Sequence, residues 1–179
     1  MRRTIISVVG GKKSGKTTTL EILTRELTRR GYDVAVVKHV SEPHFTIDTA
    51  GKDTWRYAQS GAKTVVAAST NEIATIEKNL GNLSLRDILR RCGNADVIFV
   101  EGFRKLLAKN SGIPKIVVAK SAQDIEEAVE EFEPVLAFTG PFAPKNADLN
   151  APYVDVLKNA RKIADLVEDI IKKQKHETR

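Results

Sequence analysis

Eight consecutive residues, Gly10-Gly11-Lys12-Lys13-Ser14-Gly15-Lys16-Thr17, fit the spacing G-x-x-x-x-G-K-[S/T]. Average residue usage produces such a match at about 4 in 100,000 positions, so chance is a poor explanation in one short chain. The chemistry this spacing serves is the cradling of a polyphosphate. Gly10 and Gly15 let the backbone approach closely enough to aim N–H groups at phosphate oxygens. Lys16 brings a positive point charge to the β- and γ-phosphates, and the Thr17 hydroxyl is a hard oxygen ligand for Mg²⁺. A helix beginning near Thr17 adds its positive dipole end, about 0.3–1 kcal/mol per anionic contact. Gly10, Gly11, Lys12, Lys13, Ser14, Gly15, Lys16, Thr17 and Thr18 are therefore the candidate nucleotide-binding residues. For Lys12 and Lys13 two readings stand side by side, added phosphate charge or solvated surface lysines.

A nucleotide site also needs an acid near the metal or the attacking water. Asp96-Val97-Ile98-Phe99-Val100-Glu101-Gly102 supplies one, because four apolar residues carry Glu101 out at the end of a buried strand. Ligands of α/β sheets bind at that carboxyl edge. Glu101 is thus the candidate catalytic residue and a candidate on the Mg²⁺ side; a solvated strand-end acid is the competing reading. A second constellation, Lys38-His39 through His44, Asp48 and Thr54, follows another strand and reaches the same edge. His39, His44 and Asp48 suit zinc by type, but their spacing matches no compact site. Asp48 fits better beside Mg²⁺, and solvated loop residues compete with a ligand role for the histidines. After Glu101 comes a basic loop, Phe103-Arg104-Lys105 with Lys109 and Pro114-Lys115, which can hold a second phosphate-bearing ligand or be ordinary charged surface.

The elements that must position these groups are legible from periodicity. Short β-branched runs at 5–9, 34–37, 97–100, 116–119 and 135–138 alternate with helical patterns. Leu20, Leu23 and Leu27 form one face of a helix from Thr17 to Arg30, and Gly31 stops it. Ile163, Leu166, Val167 and Ile170 repeat the stripe near the end of the chain. Strands that are apolar on both faces and joined by helices predict a mainly parallel twisted sheet covered on both sides, a three-layer α/β/α fold. Runs at 64–68 and 73–76 predict an additional antiparallel pair. Ser84 with Asp87 predicts a capped helix through Arg91. One domain over 1–171 is expected, with a polar, frayed tail at 172–179.

Composition narrows the class further. The 179 residues are 41% hydrophobic and 29% charged, which excludes disordered, collagenous and coiled-coil classes. A net charge of +6 favours anionic partners. The lone Cys92 cannot form an internal disulfide, and the apolar run at 5–9 is too short for a signal-peptide core or a membrane span, so a cytoplasmic protein is expected.

Taken together, Gly10 to Thr17, Lys38-His39 with His44-Phe45 and Asp48, Gly51-Lys52-Asp53-Thr54, Ser60-Gly61-Ala62, and Asp96 through Arg104 with Pro114-Lys115-Ile116 resemble the MobB family. These are the molybdopterin-guanine dinucleotide biosynthesis proteins B, and the likeness covers roughly residues 3–120. The resemblance implies a P-loop NTPase fold of the signal-recognition and partition-protein type, GTP and Mg²⁺ as ligands, slow GTP hydrolysis and a homodimer. It also implies an adapter role beside the guanylyltransferase that joins GMP to molybdopterin. By that likeness Lys38, His39, His44 and Asp48 become candidates for the ligand pocket, with Arg104 of the basic loop as a further second-ligand candidate. The strand pair at 64–76 becomes a candidate dimer surface. One departure concerns the base. Guanine is commonly read by an Asn/Thr-Lys-x-Asp series, whereas Ala119-Lys120-Ser121-Ala122 stands here, with Asp124 displaced. Thr139-Gly140-Pro141 is a further candidate to approach the base.

Two rival functions are weighed against the adapter. A P-loop small-molecule kinase needs a lid rich in arginine, and Arg86, Arg90 and Arg91 are the only such cluster. Nucleic-acid binding ranks last, because the basic residues are dispersed and aromatics are only 6% of the chain.

Overall fold

The computed structural model describes residues 3–78, 81, 83–144 and 149–176. In chain order the elements are β1 (Thr4–Val9), α1 (Lys16–Arg29), β2 (Val34–Lys38), α2 (Asp53–Gln59), β3 (Thr64–Ala68), β4 (Ile73–Glu77), α3 (Leu85–Arg90), β5 (Val97–Glu101), α4 (Arg104–Leu107), β6 (Lys115–Val118), α5 (Ala122–Glu131), β7 (Val135–Thr139) and α6 (Ala160–His176). The chain divides into two compact units, Met1–His39 with Leu89–Arg179, and Val40–Ile88.

The larger unit holds five parallel strands in the order β2-β5-β1-β6-β7. Its two faces carry separate cores. On one, Leu20, Leu23 and Leu27 of α1 and Ile163, Val167 and Ile171 of α6 pack on Ile6, Val8, Phe99 and Ile116. On the other, Ile125, Ala128 and Phe132 of α5 pack on Val9, Val117 and Phe138. Each such aliphatic side chain, once fully buried, contributes about 1.5–3 kcal/mol. The α/β/α layering is therefore that expected, and β1, central in the order, delivers the 10–17 loop at its carboxyl end. Helix α1 ends as its sequence predicts: Gly31 takes φ 86°, and Tyr32 N–H closes on Leu27 O at 3.1 Å.

Three expectations need correction. β2 is not a buried strand: it lies at the sheet edge, and Val36 is 49% exposed. The residues after Glu101 are not all loop, since Arg104–Leu107 form α4 with Leu107 buried. Lys172 to His176 continue α6 rather than fraying. Lys175 Nζ meets Asp96 Oδ1 at 2.7 Å, and Thr4 Oγ1 donates to Gln174 at 2.9 Å, which anchors that last turn. Residues 177–179 lie outside the described residues.

The smaller unit contains α2 packed on β3, and β3 pairs with β4 as the antiparallel hairpin expected, in register from Thr64↔Glu77 to Ala68↔Ile73. Ser84 and Asp87 cap one another as predicted: Asp87 N–H donates to Ser84 Oγ at 3.2 Å and Ser84 N–H to Asp87 Oδ2 at 3.3 Å. Among the described residues no helix is long and apolar enough to cross a membrane.

Candidate functional site

The 10–17 loop turns because three residues adopt positive φ: Gly10 at 149°, Lys13 at 59° and Gly15 at 103°. Gly10 is demanded by space as well. A Cβ there would fall 2.3 Å from Val118 O and 2.8 Å from Ser14 Oγ. Gly15 is the N-cap of α1 and offers no side chain to the first-turn amides, and Thr17 and Thr18 are exposed at that helix end. Backbone donors at a helix start need a partner from somewhere, and an anion is the group they suit best. Within the loop Ser14 is buried, yet its Oγ finds no hydrogen-bond partner among the described residues. A buried hydroxyl without a partner costs about 1–3 kcal/mol, which a ligand oxygen would offset.

Lys16 lies along the loop, with Nζ donating to Gly10 O at 3.1 Å and Gly11 O at 2.7 Å. Burial pulls its ammonium below the ordinary lysine range; Glu101 opposes that shift, and Lys38 and Lys120 add to it. The tertiary structure thus gathers Lys16, Glu101, Lys38 and Lys120 at one sheet edge. Glu101 ends β5, opposite Val8 of β1 and Lys38 of β2. Its side chain is only 13% exposed, with Lys38 Nζ at 3.8 Å. Lys120 is a residue whose part the sequence reading missed. It follows β6, the neighbour of β1, and its Nζ reaches Lys12 O at 3.4 Å. The sequence signal existed in its position just after a buried strand, but the strand order that makes it adjacent is not written locally.

The other predicted residues divide. His39 N–H donates to Glu101 O at 2.8 Å, and its ring packs on Phe103 with centroids 4.5 Å apart. Gly102, at φ 96°, passes so close that a Cβ would lie 2.6 Å from His39 Cβ. His39 therefore shapes the turn after Glu101. Arg104 pairs bidentately with Glu131 and stacks over Phe132 at 5.2 Å, so its guanidinium is engaged within the fold. Lys115, read as part of a basic loop, is completely buried; its Nζ donates to Asn110 O at 2.7 Å and to Glu133 O. His44 and Asp48 belong to the smaller unit. There His44 is exposed, while Asp48 Oδ1 accepts from Thr49 N–H at 2.9 Å and Thr54 Oγ1 at 2.8 Å. Asp48 Oδ2 is buried without a partner among the described residues.

For Mg²⁺, the oxygen set at the sheet edge fits a hard cation: an exposed Thr17 hydroxyl at the helix start and a Glu101 carboxylate at the strand end. Among the described residues no three His, Cys, Asp or Glu side chains gather as a transition-metal site would require.

A glycine-rich loop between a central parallel strand and a helix, with lysines and one acid at the carboxyl edge, defines the P-loop NTPase fold class. Comparison with known proteins is more particular. Residues 5–140 match the family described as molybdopterin guanine dinucleotide synthesis protein B, and the chain belongs to that family. A putative molybdopterin-guanine dinucleotide biosynthesis adapter protein of Methanocaldococcus jannaschii is 34% identical over 116 residues, 65% of this chain and 47% of that one. The chain thus spans about half the length of that archaeal relative. The molybdopterin-guanine dinucleotide biosynthesis adapter protein of Haemophilus influenzae is 28% identical over 167 residues, 92% of this chain and 88% of that one. Among solved structures, molybdopterin-guanine biosynthesis protein B (mobB) superposes with a TM-score of 0.68 at 28% identity, covering 94% of this chain and 99% of that one. A MobB homolog from Bacillus stearothermophilus gives 0.69 at 21% identity over 94% and 98%, a likeness of fold.

Proposed function

We propose that this protein binds GTP with Mg²⁺ and serves as an adapter in molybdenum-cofactor biosynthesis, supporting the attachment of GMP to molybdopterin. The observation that carries the nucleotide half is the loop itself: uncapped α1 amides, an unpartnered Ser14 Oγ and Lys16 converge on one cradle. In this reading the backbone of Gly10 to Gly15 holds the phosphates, with Lys16 redirected from the Gly10 and Gly11 carbonyls toward them. Lys12, Lys13 and Thr18 flank the nucleotide. Thr17 and Glu101 would hold Mg²⁺, which when bound neutralises phosphate charge; Asp48, in the smaller unit, is a candidate metal carboxylate by family likeness alone. Glu101 would orient the attacking water, and slow hydrolysis is carried over from the family likeness. Lys38 and His39 remain candidates toward a second ligand, with Arg104 held back by Glu131; His44, in the smaller unit, is a separate candidate by family likeness.

The adapter half rests on family membership and on the names of the relatives. A homodimer, a guanylyltransferase partner, molybdopterin as the second ligand and a cytoplasmic location belong to the same proposal. Titration of the full chain with Mg-GTP tests it. Lys16→Ala should weaken binding at least tenfold, about 1.4 kcal/mol. Glu101→Gln should keep GTP and lose most phosphate release. Unchanged titration curves for the lysine variant would refute the cradle, and transfer of phosphate to a small acceptor at about 1–100 s⁻¹ would favour a kinase instead.

A further inference from the structure

The residues after β6 lack the usual guanine-reading acid, so the question of what reads the base falls to the rest of the edge. A cleft of about 270 Å³ opens directly beside the phosphate loop. One wall is Lys13, Ser14 and Gly15 of the loop with Thr18 and Thr19 of α1. The other is Gly140-Pro141, just past β7, with Asp155, Val156 and Leu157. That second wall is braced. Tyr153 Oη donates to Gly140 O at 2.7 Å, Val154 N–H to Phe138 O at 2.8 Å, and Val156 N–H to Thr139 Oγ1 at 3.3 Å. Gly140 sits so tightly against the chain after β6 that a Cβ would lie 2.2 Å from Ala119 O.

Two side chains on this wall suit a purine. Leu157 is 72% exposed, an apolar surface laid open beside a phosphate site. Asp155 is 30% exposed and only half used by the protein. Its Oδ1 accepts from Leu157 N–H at 3.1 Å and Lys158 N–H at 3.3 Å, which fixes the carboxylate; Oδ2 has only Lys158 Nζ at 3.5 Å. Guanine carries two adjacent donors on one edge, N1–H and the 2-amino group. A carboxylate oxygen matches that edge and opposes adenine, whose N1 is a bare acceptor.

We infer that this cleft is the nucleobase subsite, with Leu157 covering the ring and Asp155 selecting guanine through Oδ2, the oxygen that no backbone amide holds and from which the Lys158 ammonium would swing aside. The inference rests on the nucleotide-binding reading above and adds the residue that decides between GTP and ATP.

The test titrates wild type, Asp155→Asn and Leu157→Ala with GTP, xanthosine triphosphate, ATP and inorganic tripolyphosphate, all with Mg²⁺. Asparagine can keep the Oδ1 contacts and so the turn, which circular dichroism and thermal melting check. Expected for Asp155→Asn is a loss of at least about tenfold for GTP and a comparable gain for xanthosine triphosphate, whose C2 carbonyl accepts from the new amide. Tripolyphosphate binding stays unchanged. Leu157→Ala, at an exposed position, should weaken GTP and ATP together and leave tripolyphosphate alone. If the Asn variant keeps its guanine preference while tripolyphosphate still binds, the base assignment is wrong and the phosphate cradle stands. If wild type binds no tripolyphosphate at all, both readings fail.

Discussion

The two edges of the five-stranded sheet handle charge in opposite ways. At the amino edge, acids and bases are matched. Asp96, at the start of β5, accepts from Lys175 at 2.7 Å and from Asp33 N–H at 3.0 Å, and Lys175 holds its carboxyl below the usual range. Nearby, Arg30 joins Glu26, Asp165 and Glu168, and Tyr32 Oη donates to Glu168 at 2.8 Å. At the carboxyl edge, Lys38 and Lys120 both work against the charge on Lys16, with Glu101 as the acid among them. Two other lysines, Lys12 and Lys13, stand exposed on the loop. Paired charges tie helices to strands, whereas a cationic excess is poised for something the chain does not itself contain. An edge that repels itself in isolation gains most when a polyanion arrives.

Substitutions at the two edges should therefore separate binding from stability. The largest expected effect is from Gly10→Ala, because the new Cβ would meet Val118 O at 2.3 Å in a backbone that disfavours side chains. A loss of about 2–4 kcal/mol in denaturant unfolding is expected, along with weaker nucleotide binding; wild-type stability would show that the loop relaxes at little cost. Next, Lys16→Ala should lower GTP affinity yet leave the melting temperature unchanged or raised, since it removes a cation held among cations. Asp96→Asn should do the reverse, costing about 0.5–1 kcal/mol in unfolding with titration curves intact. A variant at either edge that moves both quantities equally would break the comparison.

The smallest effect is confined to acid. Hydrogen bonds from Arg29 and Arg30 hold the Glu26 carboxyl at about 2, below its ordinary 4.5. A depressed folded-state value contributes stability above the unfolded carboxylate range, lost as pH falls through that range toward 2. Glu26→Gln should flatten the decline between about pH 5 and 2 in acid unfolding curves and leave GTP binding at neutral pH unaltered. An identical acid profile would remove Glu26 from the amino-edge network.

Much of this was legible in order along the chain. Strand, glycine-rich loop and helix are contiguous, so residues 5–30 announce their own conformation, as do the Ser84–Asp87 cap and the hairpin at 64–77. The basic loop after Glu101 was the harder reading. Arg104, Lys105 and Lys115 look alike in sequence, yet Arg104 is engaged by Glu131 and Lys115 is buried among carbonyls. Charge type was visible, but partner and burial were not. Lys120 gave no signal for the same reason, since it meets the loop only through the strand order that sets β6 beside β1.

By itself, then, the amino-acid order determined the glycine-rich loop, the layering of helices on a parallel sheet and the acid carried out on β5, because each depends on neighbours within a few residues. Only the tertiary structure decided which lysines gather at the loop, which arginine is already occupied and which segment past β7 walls the cleft beside the loop. Those outcomes depend on strand order and on pairs as far apart as Lys175 and Asp96, 79 residues in sequence. Such contacts form only when burial of a shared core brings the segments together.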